Sequence, residues 1–269
     1  MKALRNIFMG LVYLFMYAPI LILVFFSFNK GKSTSVFSGF SLKWYGELFS
    51  NGQAMNALGN TLILAVISAI IATVIGTVAA VGIYNMRSKF LSSTVMSVTN
   101  IPMMNPDIVT GVSLMLLFVF VGRLVGAATS LNFFTLLIAH VTFSIPYVIL
   151  NVLPKLRSTD KHLAEAAQDL GCTPMQSFFK VVLTSIMPGV FAAMLMAFTL
   201  SLDDFVISYY TNGSDFQTLP LMIYSMTKKT VRPDMYALST LIFVTILILL
   251  IVSNIVQEKS EKKNQKGMN

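Results

Sequence analysis

Hydrophobic positions in this chain do not alternate with polar ones; they gather into six long blocks separated by short polar segments. The blocks run from Ile7 to Phe28, Leu58 to Tyr84, Thr94 to Val121, Asn132 to Leu153, Ile186 to Tyr209 and Tyr236 to Val256. Each exceeds the roughly 18 apolar residues that a helix needs to cross a bilayer. The pattern therefore predicts an all-α membrane protein with six transmembrane helices. The leader "MKALRN" is basic like that of a signal peptide, but its apolar block is too long and no small-residue cleavage site follows, so an uncleaved first span is expected.

Charge orients these spans. With the N-terminus inside, 12 of the 19 Lys and Arg residues fall in cytoplasmic segments, among them Arg87, Lys89, Lys155, Arg157 and Lys180. The positive-inside bias then places both termini in the cytoplasm. Three regions follow: residues 1–57 with the first span and an external loop, residues 58–256 with five spans and a cytoplasmic loop over about 155–184, and a polar tail at 257–269. Hydrophobic residues make up 55% of the chain and charged ones 11%, less than half the usual soluble share, which excludes a soluble domain. The net charge of +8 sits beside apolar blocks without a basic amphipathic stretch, so its expected partner is membrane lipid and no nucleic acid. Cys172 is the single cysteine, and neither metal-ligand spacing nor a nucleophile-base constellation appears, so no catalytic residue is expected.

Within the spans, a few polar residues carry the candidate chemistry. An ionised Asp at a span centre costs about 2.5–3.5 kcal/mol, so such side chains are expected to face a cavity or a partner. Asp107 follows the helix-breaking pair Pro102 and Pro106 in "NIPMMNPDIV", where a kinked or unwound span is expected; it could also cap the restarted helix. Asp203 and Asp204 lie near the outer end of the fifth span, with Ser201 and Ser208. On one continuous helix Asp204, Ser201 and Ser208 would form a polar stripe with Asp203 about 100° away. The alternative is that the acidic pair simply ends the helix in water. Trp44, the only Trp, and Tyr209 are candidate cation-π surfaces or, equally, interface anchors. His140 reads as a packed or hydrogen-bonded residue rather than a proton relay. In the second span Ala65, Ala69, Ala72, Gly76 and Ala80 share one small-residue face, suited to a subunit interface or to packing within the bundle.

The cytoplasmic segment "RSTDKHLAEAAQDLGCTPMQSFFKVVL" predicts two short helices joined at Gly171, with Thr173 as N-cap and Pro174 at the first position of the second. Glu165-Ala166-Ala167, three residues, Gly171, nine residues and Val181-Val182-Leu183 resemble the EAA signature of ABC importer permeases, EAA-x3-G-x9-I-x-L-P. Val181 replaces Ile and Thr184 the proline. "KWYGELF", "NPDIV", "LAEAAQDLG", "LSLDDFV" and "LPLMIYSM", in this order, resemble the permeases of spermidine/putrescine importers.

That resemblance implies a type I ABC importer permease fold in a bacterial inner membrane, with Glu165, Ala166 and Gly171 in the element that couples to the ATPase. It implies as partners a second homologous permease, two ATP-binding subunits and an extracytoplasmic polyamine-binding protein. No cofactor is expected on this chain, which lacks GxxxxGK[ST]; ATP and Mg belong to the partner ATPase. Asp107, Asp203 and Asp204 suit a polyamine, whose ammonium groups are separated by methylenes. An ion-coupled secondary transporter or a permease for another small cation is the alternative.

Overall fold

The computed structural model describes residues 2–31, 36–126, 131–160, 162–228, 234–248 and 251. The helices are α1 (Lys2–Ser27), α2 (Lys43–Ser50), α3 (Gly52–Tyr84), α4 (Lys89–Met104), α5 (Asp107–Leu124), α6 (Phe133–Ser158), α7 (Leu163–Asp169), α8 (Pro174–Ser177), α9 (Leu183–Asp203), α10 (Val206–Thr211), α11 (Leu219–Thr227) and α12 (Asp234–Ile248). A π-helical turn, Phe178–Val182, joins α8 to α9. Among the described residues five helical segments are long and apolar enough to span a membrane. The sixth predicted block coincides with α12 up to Ile248; its end at Val256 and the tail 257–269 lie outside the described residues.

Two predicted spans are interrupted. The block from Thr94 to Val121 divides into α4 and α5, because Pro106 and Asn105 take extended backbone and Pro106 offers no N–H to continue the ladder. Pro102, by contrast, lies inside α4. The block from Ile186 to Tyr209 divides into α9 and α10, since Asp204 adopts an extended conformation (φ −62°, ψ 123°). Irregular backbone at membrane depth is stable only against protein or a cavity, and both breaks carry carboxylates.

The chain forms two compact units, Met1–Leu58 with Met222–Ile251, and Gly59–Leu221 within the second. In the first, the α1 end, the following loop and α2 are tied together by Asn29. Its side chain donates to the Val36 carbonyl at 2.8 Å and accepts from the Ser38 N–H at 2.8 Å, while its own carbonyl accepts from Trp44 Nε1 at 2.7 Å. The Tyr45 and Ser27 hydroxyls pair at 2.8 Å. Within its unit α1 buries none of its apolar window.

In the second unit α6 and α9 form the centre. Val148, Val152, Leu153 and Leu156 of α6 pack with Ile186, Ala193 and Ala197 of α9. The small face of α3 turns into this core: Ala65, Ala72 and Ala80 are fully buried, and a Cβ on Gly76 would lie 2.6 Å from Val148. That face therefore serves packing within the bundle, where close approach replaces the hydrophobic drive absent in lipid. Gly111 of α5 likewise seats α10, a Cβ there meeting Tyr210 at 3.0 Å and the Ile207 backbone at 3.5 Å.

Candidate functional site

The break between α9 and α10 organises the polar side chains of the second unit. Asp204 turns inward; its Oδ1 accepts from the Ile207 N–H at 3.2 Å and its Oδ2 from the Ser208 N–H at 2.7 Å. These N–H groups open α10 and would otherwise lack partners, so Asp204 caps the helix that its own extended backbone begins. Beyond it stands His140 of α6, fully buried. Its Nδ1 lies 2.7 Å from Ser201 Oγ, and its Nε2 lies 2.9 Å from Ser208 Oγ and 3.5 Å from Asp204 Oδ2. Ser68 of α3 donates to Ser201 Oγ at 2.9 Å. A carboxylate only accepts, so the imidazole nitrogen facing Asp204 carries its hydrogen, and in the single-hydrogen ring Nδ1 accepts from Ser201. One network thus joins α3, α6, α9 and α10.

This arrangement differs from a continuous polar stripe. Ser201 and Ser208 are buried and spend their hydroxyls on His140, not on a free face. Asp203, the last residue of α9, is exposed. Asp107 opens α5 and is exposed as well. It lies four residues before Gly111, hence on the face that receives α10, and within electrostatic range of Asp204. The breaks after Met104 and after Asp203 therefore bring three carboxylates to one region. Tyr209, 52% exposed, presents its ring beside Phe205 (centroids 5.7 Å) and Tyr210 (5.3 Å). Trp44 belongs to the first unit, where it is buried, with Lys43 Nζ 5.2 Å from its ring centroid.

His140 is the site residue whose partners sequence alone did not supply. Helical spacing cannot link residues 61 and 68 positions apart; a buried His in an apolar span was the only signal.

The segment between α6 and α9 has the predicted hairpin. The turn after α7 holds Gly171, whose φ of +89° a side chain would resist, and the Cys172 N–H closes that turn on the Ala167 carbonyl at 3.1 Å. Thr173 and Gln176 form a reciprocal capping box around Pro174. Ser177 Oγ donates to the Ala164 carbonyl at 2.8 Å, fixing α8 against α7. Glu165 is exposed and bonds His162 Nδ1 at 2.9 Å; Ala166 is exposed and Ala167 buried. Thr184, standing where the EAA signature has proline, continues α9 without interruption.

Residues 72–266 match the model of the family described as binding-protein-dependent transport system inner membrane component. The chain belongs to this family. As an ABC permease it is a multi-pass inner-membrane transport subunit, not itself an enzyme, and the ATPase is a separate subunit. It is 38% identical to the putrescine transport system permease protein PotI of Escherichia coli K12 over 96% of this chain and 92% of that one. It is 39% identical to the spermidine/putrescine permease PotC of Haemophilus influenzae over 96% and 97%. The permease fold is similar to that of a bacterial ABC transporter for alginate (TM-score 0.72, 15% identity, 97% and 95% of the two chains). It also resembles the MetNI methionine transporter (TM-score 0.61, 19% identity, 77% and 95%).

Proposed function

We propose that this permease forms half of the translocation path of an ATP-driven spermidine/putrescine importer. Near-full-length similarity to polyamine permeases supports the substrate class, and the carboxylates at the two helix breaks carry the chemistry. Asp107 and Asp203 offer exposed charge to ammonium groups, Asp204 adds the lone pairs that α10 leaves open, and Tyr209 provides an aromatic surface for methylene segments. Ser201, Ser208 and His140 hold Asp204 in place. Trp44 closes the external loop, so its part in handover from a binding protein is to shape the surface that receives it.

The assembly is a heterodimer with a second permease, two ATP-binding subunits and an extracytoplasmic binding protein, with six spans and both termini cytoplasmic. ATP and Mg act in the ATPase alone. Glu165, Ala166 and Gly171 lie in the coupling element, which moves with ATPase closure; the path opens outward on ATP binding and resets inward after hydrolysis.

Uptake of labelled spermidine and putrescine into vesicles with the reconstituted complex tests this. Asp107→Asn and Asp203→Asn should each reduce uptake at least about tenfold while assembly persists, since charge-assisted bonds contribute about 1.5–3 kcal/mol. Full uptake in the double variant would sink the site. Uptake driven by an ion gradient without ATP would instead favour a secondary transporter.

A further inference from the structure

Away from the carboxylates, the second unit contains a cleft of about 790 Å³ between the end of α3, the start of α4 and the end of α6. Ile83, Tyr84, Met86 and Met96 line its apolar part; Lys89, Arg157, Ser92 and Ser93 line its polar part. The two cations reach it from different helices. Among the described residues neither has an acidic side chain within 4 Å, and Ser92 and Ser93 bring two hydroxyl groups to the same cleft. Two positive charges without an acidic side chain beside them and two hydroxyl donors lining one space are the complement of an oxyanion with several acceptors.

Its position narrows the oxyanion. α3 and α6 both end here, on the side that leads directly into the α7–α8 hairpin. Phe90 (81% exposed) and Leu91 (52%) follow Lys89 on the outer surface of α4. Bulky apolar residues exposed next to a basic pocket at the end of a span mark the boundary between acyl chains and headgroups. Basic pockets between helices on the cytoplasmic side favour anionic headgroups.

We infer that this cleft binds the phosphate of an anionic phospholipid of the cytoplasmic leaflet, Lys89 and Arg157 meeting the phosphate, Ser92 and Ser93 donating to its oxygens. The acyl chains run along Phe90 and Leu91. The inference rests on the permease reading for the side of the membrane but not on the solute, so a permease for any other solute would keep the site.

Native mass spectrometry of the purified complex from nanodiscs containing phosphatidylglycerol or only phosphatidylcholine tests it. Retention of phosphatidylglycerol over phosphatidylcholine is expected. Each charge removed should weaken retention about fivefold, and Lys89→Gln with Arg157→Gln together about thirtyfold, given the ordinary strength of a basic residue at an anionic surface. If that double variant does not assemble, Ser92→Ala with Ser93→Ala keeps the charge and should still lower retention several-fold. Equal retention of both lipids, retention unchanged in whichever variant assembles, or displacement by millimolar inorganic phosphate would overturn the site, the last by identifying a soluble anion as its ligand. Uptake assays report separately on the proposed transport function.

Discussion

His140 shows how a buried polar residue can fix geometry at a helix break. Its two nitrogens reach Ser201 before the break and Ser208 after it, spanning the extended residue between. Removing the ring leaves both hydroxyls short of a buried partner, while Asp204 keeps the Ile207 and Ser208 N–H groups. We expect His140→Ala to destabilise the permease by about 1–3 kcal/mol, the cost of a buried unsatisfied group, measured as a lowered melting temperature of the detergent-purified complex. His140→Gln should recover part of it; equal losses for both would mean that ring volume, not hydrogen bonding, is what matters. Asp203 and Asp204 were legible in the sequence as costly charge. That Asp204 faces inward and Asp203 outward was not, because a helical wheel assumes the continuous helix that ends at Asp203.

Among elements, the α7–α8 hairpin was the most legible, because caps and glycine act locally: Thr173, Gln176 and Gly171 specify the turn without distant help. The start of α6 was equally plain, with Asn132 accepting from the Phe134 and Thr135 N–H groups; its end was not, since the helix continues past Leu153 through Pro154 to Ser158. The use of the α3 small face was not readable, since only the facing Val148 decides it. Gly171→Val should strain the hairpin by about 1–2 kcal/mol and lower ATPase stimulation in the complex, with solute binding to the external protein unchanged. Gly76→Leu should disrupt α3–α6 packing, seen as loss of the folded monodisperse permease in size-exclusion chromatography; a normal profile would contradict the close approach.

For the whole molecule, sidedness is the property on which mechanism depends. Cys172 is the single cysteine, partly exposed in the hairpin, and so provides a native reporter. A membrane-impermeant maleimide should label it in inside-out vesicles stripped of ATPase subunits, and not in intact spheroplasts. Labelling in spheroplasts would invert the topology. Readding the ATPase subunits should protect the thiol if the hairpin is the coupling element proposed above; full labelling in their presence would count against that role.

The end of α9 at Asp203 has a consequence beyond its carboxylate. A helix that stops inside the membrane leaves its last carbonyls without intrahelical donors, and its aligned peptide dipoles place about half a negative charge there. That field belongs to the backbone and no side-chain substitution removes it. The start of α10 sets about half a positive charge beside it, which Asp204 holds in check, so a permease with Asp107, Asp203 and Asp204 all neutralised should lose its preference for cations over anions in residual flux.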